Sequence, residues 1–137
     1  MAKAKRISFG MSVVLVLLMS MSLTVFAATT SFSGSLPARQ GDTEISKVAR
    51  ENENTTKKYF TITISSLGTG TDKVRAWAET GAGINASSPY NQVGVTTTNV
   101  YYNTDSVPAK GTNVTLNLDN PVYMTTTVSV SGSWTPN

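Results

Sequence analysis

The sequence contains no cysteine and no histidine, and these absences exclude several kinds of chemistry. Without cysteine the chain has no disulfide and no thiolate for metal binding or nucleophilic catalysis. Without histidine it lacks the usual general base beside a serine nucleophile and the commonest metal ligand. Charged residues are also scarce, at 14% of the chain. Serine-histidine, thiol and Cys/His metal sites are therefore excluded.

The first 27 residues have the three-part organisation of a secretory signal peptide. A positive start comprises Lys3, Lys5 and Arg6. An uncharged, mostly apolar helical run follows over residues 11–26, and the small Ala27 favours cleavage between Ala27 and Ala28. Serines and a threonine interrupt this run, which falls short of the roughly 20 clean apolar residues that a membrane span needs. We therefore expect cleavage rather than a retained anchor, and no stable membrane span after processing.

Residues 28–137 are expected to form one exported domain without net charge. Three of the 11 basic residues and none of the 8 acidic ones lie in residues 1–27, so the remainder carries 8 of each sign. A neutral domain has no electrostatic footprint for nucleic acid. Because exported domains of this size commonly use disulfides, the absence of cysteine favours a bacterial product that is secreted to the wall or the medium.

Alternating apolar and polar residues predict strands with one buried face along the mature chain. The candidate strands are residues 30–36, 59–66, 73–80, 92–102, 112–118 and 122–134. The turn-rich segment 68–72 predicts a hairpin between the second and third of these. Residues 44–49 fit either a strand or a loop, and no long helical periodicity is present. The sequence therefore predicts an all-β fold, a small antiparallel β-sandwich of six or seven strands, with a small β-barrel as the alternative.

The strand 73–80 presents the strongest candidate binding residues, because Arg75, Trp77 and Glu79 project from one of its faces. If that face is exposed, Trp77 with Arg75 beside it forms a stacking platform for a sugar ring or a partner side chain. We favour the alternative that Trp77 faces the second layer of the sandwich, since large aromatic side chains are mostly buried. Tyr101 and Tyr102 are further stacking candidates, although cross-strand pairing also explains them.

A carboxylate pair is the one acid-base arrangement that the composition still permits. The candidates are Asp72, Glu79, Asp105 and Asp119. Three of them fall in predicted turns, where Asp commonly bonds its own backbone. We therefore assign no catalytic residue, no cofactor and no metal ligand, and expect a protein that is not an enzyme.

Five short stretches of the mature chain, in this order, match the pattern of a known family. They are Gln-Gly-Asp-Thr at 40–43, Gly-Thr-Gly at 68–70 leading to Val-Arg-Ala-Trp at 74–77, Ser-Ser-Pro at 87–89, Val-Tyr-Tyr-Asn at 100–103, and Val-Ser-Val-Ser-Gly-Ser-Trp at 128–134. Through them the chain resembles an uncharacterised family of small secreted proteins from Gram-positive bacteria, a domain of unknown function. The resemblance implies a secreted β domain and brings no catalytic residues.

A weaker resemblance is to lactococcin 972-type bacteriocins, which share the signal peptide, the cysteine-free mature chain and Gly/Ser/Trp-rich strands. The leading hypothesis is a non-enzymatic binding or structural module at the cell envelope or in the medium, with cell-wall glycan as a candidate partner. The alternatives are a bacteriocin-like antimicrobial protein and a minor glycan hydrolase.

Overall fold

The computed structural model describes residues 28–51, 57–81 and 83–137. The predicted signal peptide and Ala27 lie outside these residues, and Ala28 is the first residue described. Within them the chain forms nine β-strands. These are β1 (Thr30–Leu36), β2 (Thr43–Ala49), β3 (Tyr59–Leu67), β4 (Lys73–Thr80), β5 (Ile84–Asn85), β6 (Gln92–Gly94), β7 (Thr97–Tyr101), β8 (Asn113–Asp119) and β9 (Val128–Thr135).

The described strands form two antiparallel sheets. The four-stranded sheet has the order β1-β9-β3-β7. The five-stranded sheet has the order β2-β8-β4, and both short strands β5 and β6 pair with the far edge of β4. Two separate sheets with a shared apolar core confirm the all-β fold and the sandwich, and they decide against a closed barrel.

The core between the two sheets contains the apolar residues that the period-two pattern placed on inner faces. Phe60 and Trp134 meet edge to face with their ring centroids 6.0 Å apart. The other large, fully buried apolar side chains are Leu36, Ile62, Ile64, Leu116, Leu118, Val74, Val93, Val114 and Val128. Burying each such side chain contributes about 1.5–3 kcal/mol to stability. This core therefore stabilises the fold in the absence of disulfides, on which many small exported domains depend.

The predicted hairpin between residues 59–66 and 73–80 is wrong. β3 pairs with β7 and β9, whereas β4 pairs with β5, β6 and β8 in the other sheet. The segment between them therefore carries the chain across the sandwich. A turn-rich connection between two alternating strands has the same local sequence signature in both cases, and only pairing with distant strands distinguishes them.

Two predicted long strands are shorter in the structure. Residues 92–102 are divided into β6 and β7, which belong to different sheets. Residues 122–134 form a strand only from Val128 onward, and Val122 is exposed instead of facing the core. Residues 44–49, which the sequence left open, lie in β2, and a bulge lies between Glu44 and Ser46.

Arg50 closes one end of the sandwich directly after β2. Its side chain is buried, and its guanidinium donates hydrogen bonds to the backbone carbonyls of Lys57, Pro108 and Asn137. The guanidinium carbon also lies 5.7 Å from the centre of the Tyr102 ring. This one side chain therefore ties together the segments before β3, before β8 and after β9.

Candidate functional site

Strand alternation places Arg75, Trp77 and Glu79 on the outer face of the five-stranded sheet. Their neighbours along β4, Val74, Ala76 and Ala78, are members of the core. Successive side chains of a strand point to opposite faces, so the three candidate residues point away from the core. The register sets them opposite three residues of β8, in the pairs Arg75↔Asp119, Trp77↔Asn117 and Glu79↔Thr115.

Arg75 is held by a two-point ion pair with Asp119. Its Nε donates to Asp119 Oδ1 at 2.7 Å, and its Nη2 donates to Oδ2. The hydrogen bond to this carboxylate raises the pKa of the Arg75 guanidinium above its usual value. Because Asp119 is almost fully buried, the pair fixes the position of a positive charge on the outer face.

Trp77 is buried, as we favoured, but not towards the second sheet. The small Ala76 and Ala78 enter the core, whereas Trp77 lies on the outer face with 5% of its surface exposed. Its indole Nε1 donates a hydrogen bond to Glu79 Oε1 at 2.9 Å. The prediction that Trp77 faces the second layer of the sandwich is therefore wrong, because Ala76 and Ala78 occupy the core side of β4.

The two predicted tyrosines lie elsewhere in the sandwich. Tyr101 is exposed on the outer face of the four-stranded sheet, where its ring lies edge to face with Tyr59 at 5.6 Å. Tyr102 is part of the core, and its hydroxyl donates to the carbonyl of Pro136 at 2.6 Å. Burial raises the pKa of the Tyr102 phenol above its usual value. The structure therefore brings Arg75, Trp77 and Glu79 together but places neither tyrosine with them.

A groove of about 180 Å³ opens beside Arg75. It is lined by Gln40, Lys73, Val74, Arg75, Gln92, Pro121, Val122 and Tyr123. Three of the exposed large hydrophobic side chains belong to this region or its surroundings: Val122 at 66%, Tyr123 at 61% and Tyr90 at 75% exposure. Tyr90 does not line the groove itself, but it contributes to the raised pKa of Arg75 after Asp119. Apart from Arg75, the sequence does not predict this groove, because the alternation of residues 122–127 indicates a strand where the structure has a loop.

The loop that carries Val122 and Tyr123 is anchored on both sides. The side-chain amide of Asn120 donates to the carbonyls of Leu36 and Pro37 at 2.9 and 2.8 Å. Within the loop, the Met124 N–H donates to the Pro121 carbonyl, and the Met124 carbonyl accepts from the N–H of Arg39. Met124 itself is buried. The groove wall is therefore held in place before any ligand arrives, which reduces the entropy cost of binding.

Asp119 and Asp42 both lie near the Arg75 guanidinium on this face. The pKa of Asp42 is raised, first by partial burial and then by repulsion from Glu79, Asp119 and Glu44, while Arg75 acts in the opposite direction. Of the four carboxylates considered for acid-base chemistry, Glu79 and Asp119 lie on this face, and each accepts a hydrogen bond from its neighbour on β4.

The other two candidate carboxylates, Asp72 and Asp105, are exposed in the predicted turn regions. Among residues 28–51, 57–81 and 83–137, no group of three or more acidic side chains is arranged to hold a metal ion.

Comparison with protein-family models, with curated proteins and with solved structures found no match. The resemblance to the secreted Gram-positive family and to the bacteriocins therefore stays a prediction. In the part of the chain that the structure describes, no helix is long and apolar enough to cross a membrane.

Proposed function

We propose that this chain is an exported, non-enzymatic β-sandwich module that binds a glycan of the bacterial cell envelope in the groove beside Arg75. The observation that carries this proposal is the exposed Tyr123 on an anchored loop, facing a groove whose floor holds a fixed guanidinium. The organisation of residues 1–27 as a signal peptide supports export.

The chemistry of the groove suits a sugar ring. A pyranose has a face of C–H groups that packs against an aromatic ring and a rim of hydroxyls that needs planar donors and acceptors. Tyr123 and Val122 supply the apolar contact, and the Gln40 and Gln92 amides with the Arg75 guanidinium supply the polar contacts. The net charge of residues 28–137 is zero. This balance favours a neutral or weakly charged ligand over a nucleic acid.

The size of the groove favours one unit of a longer chain. Its volume of about 180 Å³ is below the roughly 300–1,000 Å³ of pockets that enclose a drug-sized ligand. A polymer that crosses the groove places one sugar in it and leaves its neighbours in solvent. Repeated units on an insoluble wall then give many equivalent sites, so a modest affinity per site is sufficient for retention.

A sedimentation assay tests the proposal. Residues 28–137 are mixed with insoluble peptidoglycan and, in separate arms, with chitin and cellulose, and the unbound protein is measured. We expect binding to peptidoglycan, and we expect Tyr123→Ala to weaken it about tenfold, since a stacking aromatic contributes about 1.5 kcal/mol. The matched control is Tyr101→Ala, which removes a similarly exposed tyrosine from the four-stranded sheet, away from the groove, and should bind like the unsubstituted protein. Absence of binding to all three glycans, or an equal loss in both variants, would overturn the proposal.

A further inference from the structure

The two edges of the four-stranded sheet, β1 and β7, lack the features that usually prevent one sheet from pairing with another. β1 reads Thr-Ser-Phe-Ser-Gly-Ser-Leu and β7 reads Thr-Thr-Asn-Val-Tyr, so neither contains a charge or a proline. Charged side chains, prolines, bulges and short strands are the usual protection of an edge. Seven and five residues of uncharged strand are therefore open to pairing on either side of this sheet.

The five-stranded sheet of the same molecule shows that protection. Its edge strand β2 carries Glu44 and Lys47, and it has a bulge between Glu44 and Ser46. Its opposite edge is divided into β5 and β6, which have only two and three residues. The contrast within one molecule makes the unprotected edges of the four-stranded sheet a specific property of that sheet.

Hydrogen bonding confirms that the β7 edge is open. Two backbone hydrogen bonds extend the pairing of β3 with β7 at its ends. The N–H of Tyr102 donates to the carbonyl of Lys58, and the N–H of Ile64 donates to the carbonyl of Thr96. In an antiparallel pair every second residue bonds to the partner strand, so the backbone groups of Thr97, Asn99 and Tyr101 point outward. Among the described residues these groups have no backbone hydrogen bond, and the loop around Ser87 covers the edge only from Tyr102 onward.

The same alternation gives β1 an outward edge formed by Ser31, Ser33 and Ser35. In β9, residues 133 and 135 pair with residues 63 and 61 of β3, whose backbone groups point away from β7 and towards β9. Because bonding alternates along β9, its residues 130, 132 and 134 bond to β1 on the other side. Their partners in β1 are residues 34, 32 and 30, which leaves the serines between them facing outward. The outward residues of β1 and of β7 also carry their side chains on the same outer face of the sheet.

Strand direction decides how two copies fit. Every neighbouring pair in the four-stranded sheet is antiparallel, so β1 and β7 run in opposite directions. When two copies lie side by side in the same orientation, β7 of one meets β1 of the next in an antiparallel arrangement. The outward-bonding residues of both strands then carry their side chains on the same outer face of the joined sheet, and the core of each copy stays on the inner face.

We propose that the partner of these edges is a second copy of this chain, and that β7 of one copy pairs with β1 of the next. The interface extends the ranks of hydroxyls that already bond across the outer face, such as Thr63 Oγ1 with Thr97 Oγ1 at 2.8 Å and Ser66 Oγ with Ser131 Oγ at 3.0 Å. A head-to-tail contact leaves a new free edge after each added copy, and between copies in the same orientation no rotation brings the two ends together, so the assembly stays open. The product is a linear assembly with one continuous sheet.

This inference is independent of the glycan proposal, because the groove lies on the other sheet. Analytical ultracentrifugation of residues 28–137 across a range of concentrations tests it, and we expect a series of species that grows with concentration. Two variants each block one edge by removing an outward N–H without removing a backbone hydrogen bond inside the sheet: Ser33→Pro for β1 and Asn99→Pro for β7. Asn99→Pro also removes the hydrogen bond that Asn99 Oδ1 accepts from Thr61 Oγ1 at 2.9 Å on the outer face. Ser129→Lys, which adds a charge on the central strand β9, is the control and should still assemble.

Mixing the two blocked variants distinguishes the proposed contact from a twofold dimer. Each variant alone should be monomeric, and an equal mixture should give a dimer and nothing larger, since one free β1 meets one free β7. A stable dimer of either variant alone would show a β1–β1 or β7–β7 contact and would overturn the proposal. A monomeric unsubstituted protein at all concentrations would also overturn it. If circular dichroism shows that a proline variant does not fold, Ser33→Lys or Asn99→Lys replaces it with the same expected outcomes.

Discussion

Arg75 on β4 and Asp119 on β8 face each other directly in the sheet register, and their side chains form a two-point ion pair with one partner almost fully buried. This pair joins the fold to the groove. Asp119 ends β8 immediately before the anchored loop that carries Tyr123, and Arg75 lines the groove floor. A change at either residue should therefore affect both stability and ligand binding.

Replacing Arg75 alone should destabilise the protein more than replacing both partners. Arg75→Met leaves the buried Asp119 carboxylate unpaired, which costs about 3–5 kcal/mol for a buried pair, and somewhat less here because the Arg75 side chain is 20% exposed. The double variant Arg75→Met/Asp119→Leu removes the unpaired charge and should recover most of that loss. Urea unfolding measures the free energy of unfolding of both variants. A double variant no more stable than the single one would contradict the destabilisation by an unpaired buried Asp119.

The Arg50 guanidinium should not be replaceable by an ammonium. A lysine keeps the charge but cannot donate in the three directions that reach the carbonyls of Lys57, Pro108 and Asn137. We expect Arg50→Lys to lower the free energy of unfolding by about 2–3 kcal/mol, because buried carbonyls lose charge-assisted partners. Chemical denaturation gives the value. Arg39→Lys, at an exposed position, is the control and should change stability by less than about 0.5 kcal/mol.

Gly132 is required by the close approach of three strands in the four-stranded sheet. A Cβ at this position would overlap the carbonyl oxygen of Thr63 on β3 and lie 2.9 Å from the Phe32 ring on β1. Gly132→Ala should therefore cost about 2–3 kcal/mol, because a backbone atom must move.

Gly34→Ala is the matched control for this substitution. Its new methyl group would meet only the end of the Ile45 side chain at 2.6 Å, which can rotate away. Thermal unfolding should show a cost below about 1 kcal/mol at position 34. Equal losses at both positions would mean that the sheets do not pack as described.

Asp42 should make stability depend on pH in a direction that its surroundings determine. Its pKa in the folded chain is raised above 3.8, so the native state binds this proton more tightly than the unfolded state does. Stability from this group is therefore present at low pH and is lost as the pH rises from about 3.8 through the folded value.

Asp42→Asn removes this loss and should raise the melting temperature modestly at neutral pH and leave it unchanged below about pH 3. Thermal unfolding of the variant and of the unsubstituted protein at neutral pH and below about pH 3 measures this difference. If Asp42→Asn instead lowers the melting temperature at neutral pH, the ionised carboxylate stabilises the fold and the raised pKa is contradicted.

The inner faces of individual strands could be predicted because they depend on local alternation alone. Phe32 and Leu36 in β1, and the apolar residues of β3 and β8, point inward as the period of two indicated. The distribution of strands between the two sheets could not be predicted. The local sequence of β3 and β4 fits a hairpin, and only their pairing with the distant strands β9 and β8 places them in different sheets. The outer residues of β8 show the same limit, because Asn117 alternates as a solvent-facing residue but is fully buried.

The sequence predicts one part of the candidate site and not the other. The shared face of Arg75, Trp77 and Glu79 follows from their spacing on one strand. The groove does not, because it combines Gln40, Gln92 and Tyr123 from three distant segments. Residues 122–127 continue the alternating pattern of β9, but they form a loop that is held by the contacts of Asn120 with Leu36 and Pro37 and of Met124 with Arg39. No local pattern carries that information.

The most direct measurement of the central claim is an NMR titration of isotopically labelled residues 28–137 with a soluble peptidoglycan oligosaccharide. Amide shifts should move at Arg75, Gln92, Val122 and Tyr123 and stay unchanged at Asn99 on the opposite sheet. Shifts confined to the four-stranded sheet, or no shift at millimolar oligosaccharide, would contradict glycan binding in this groove.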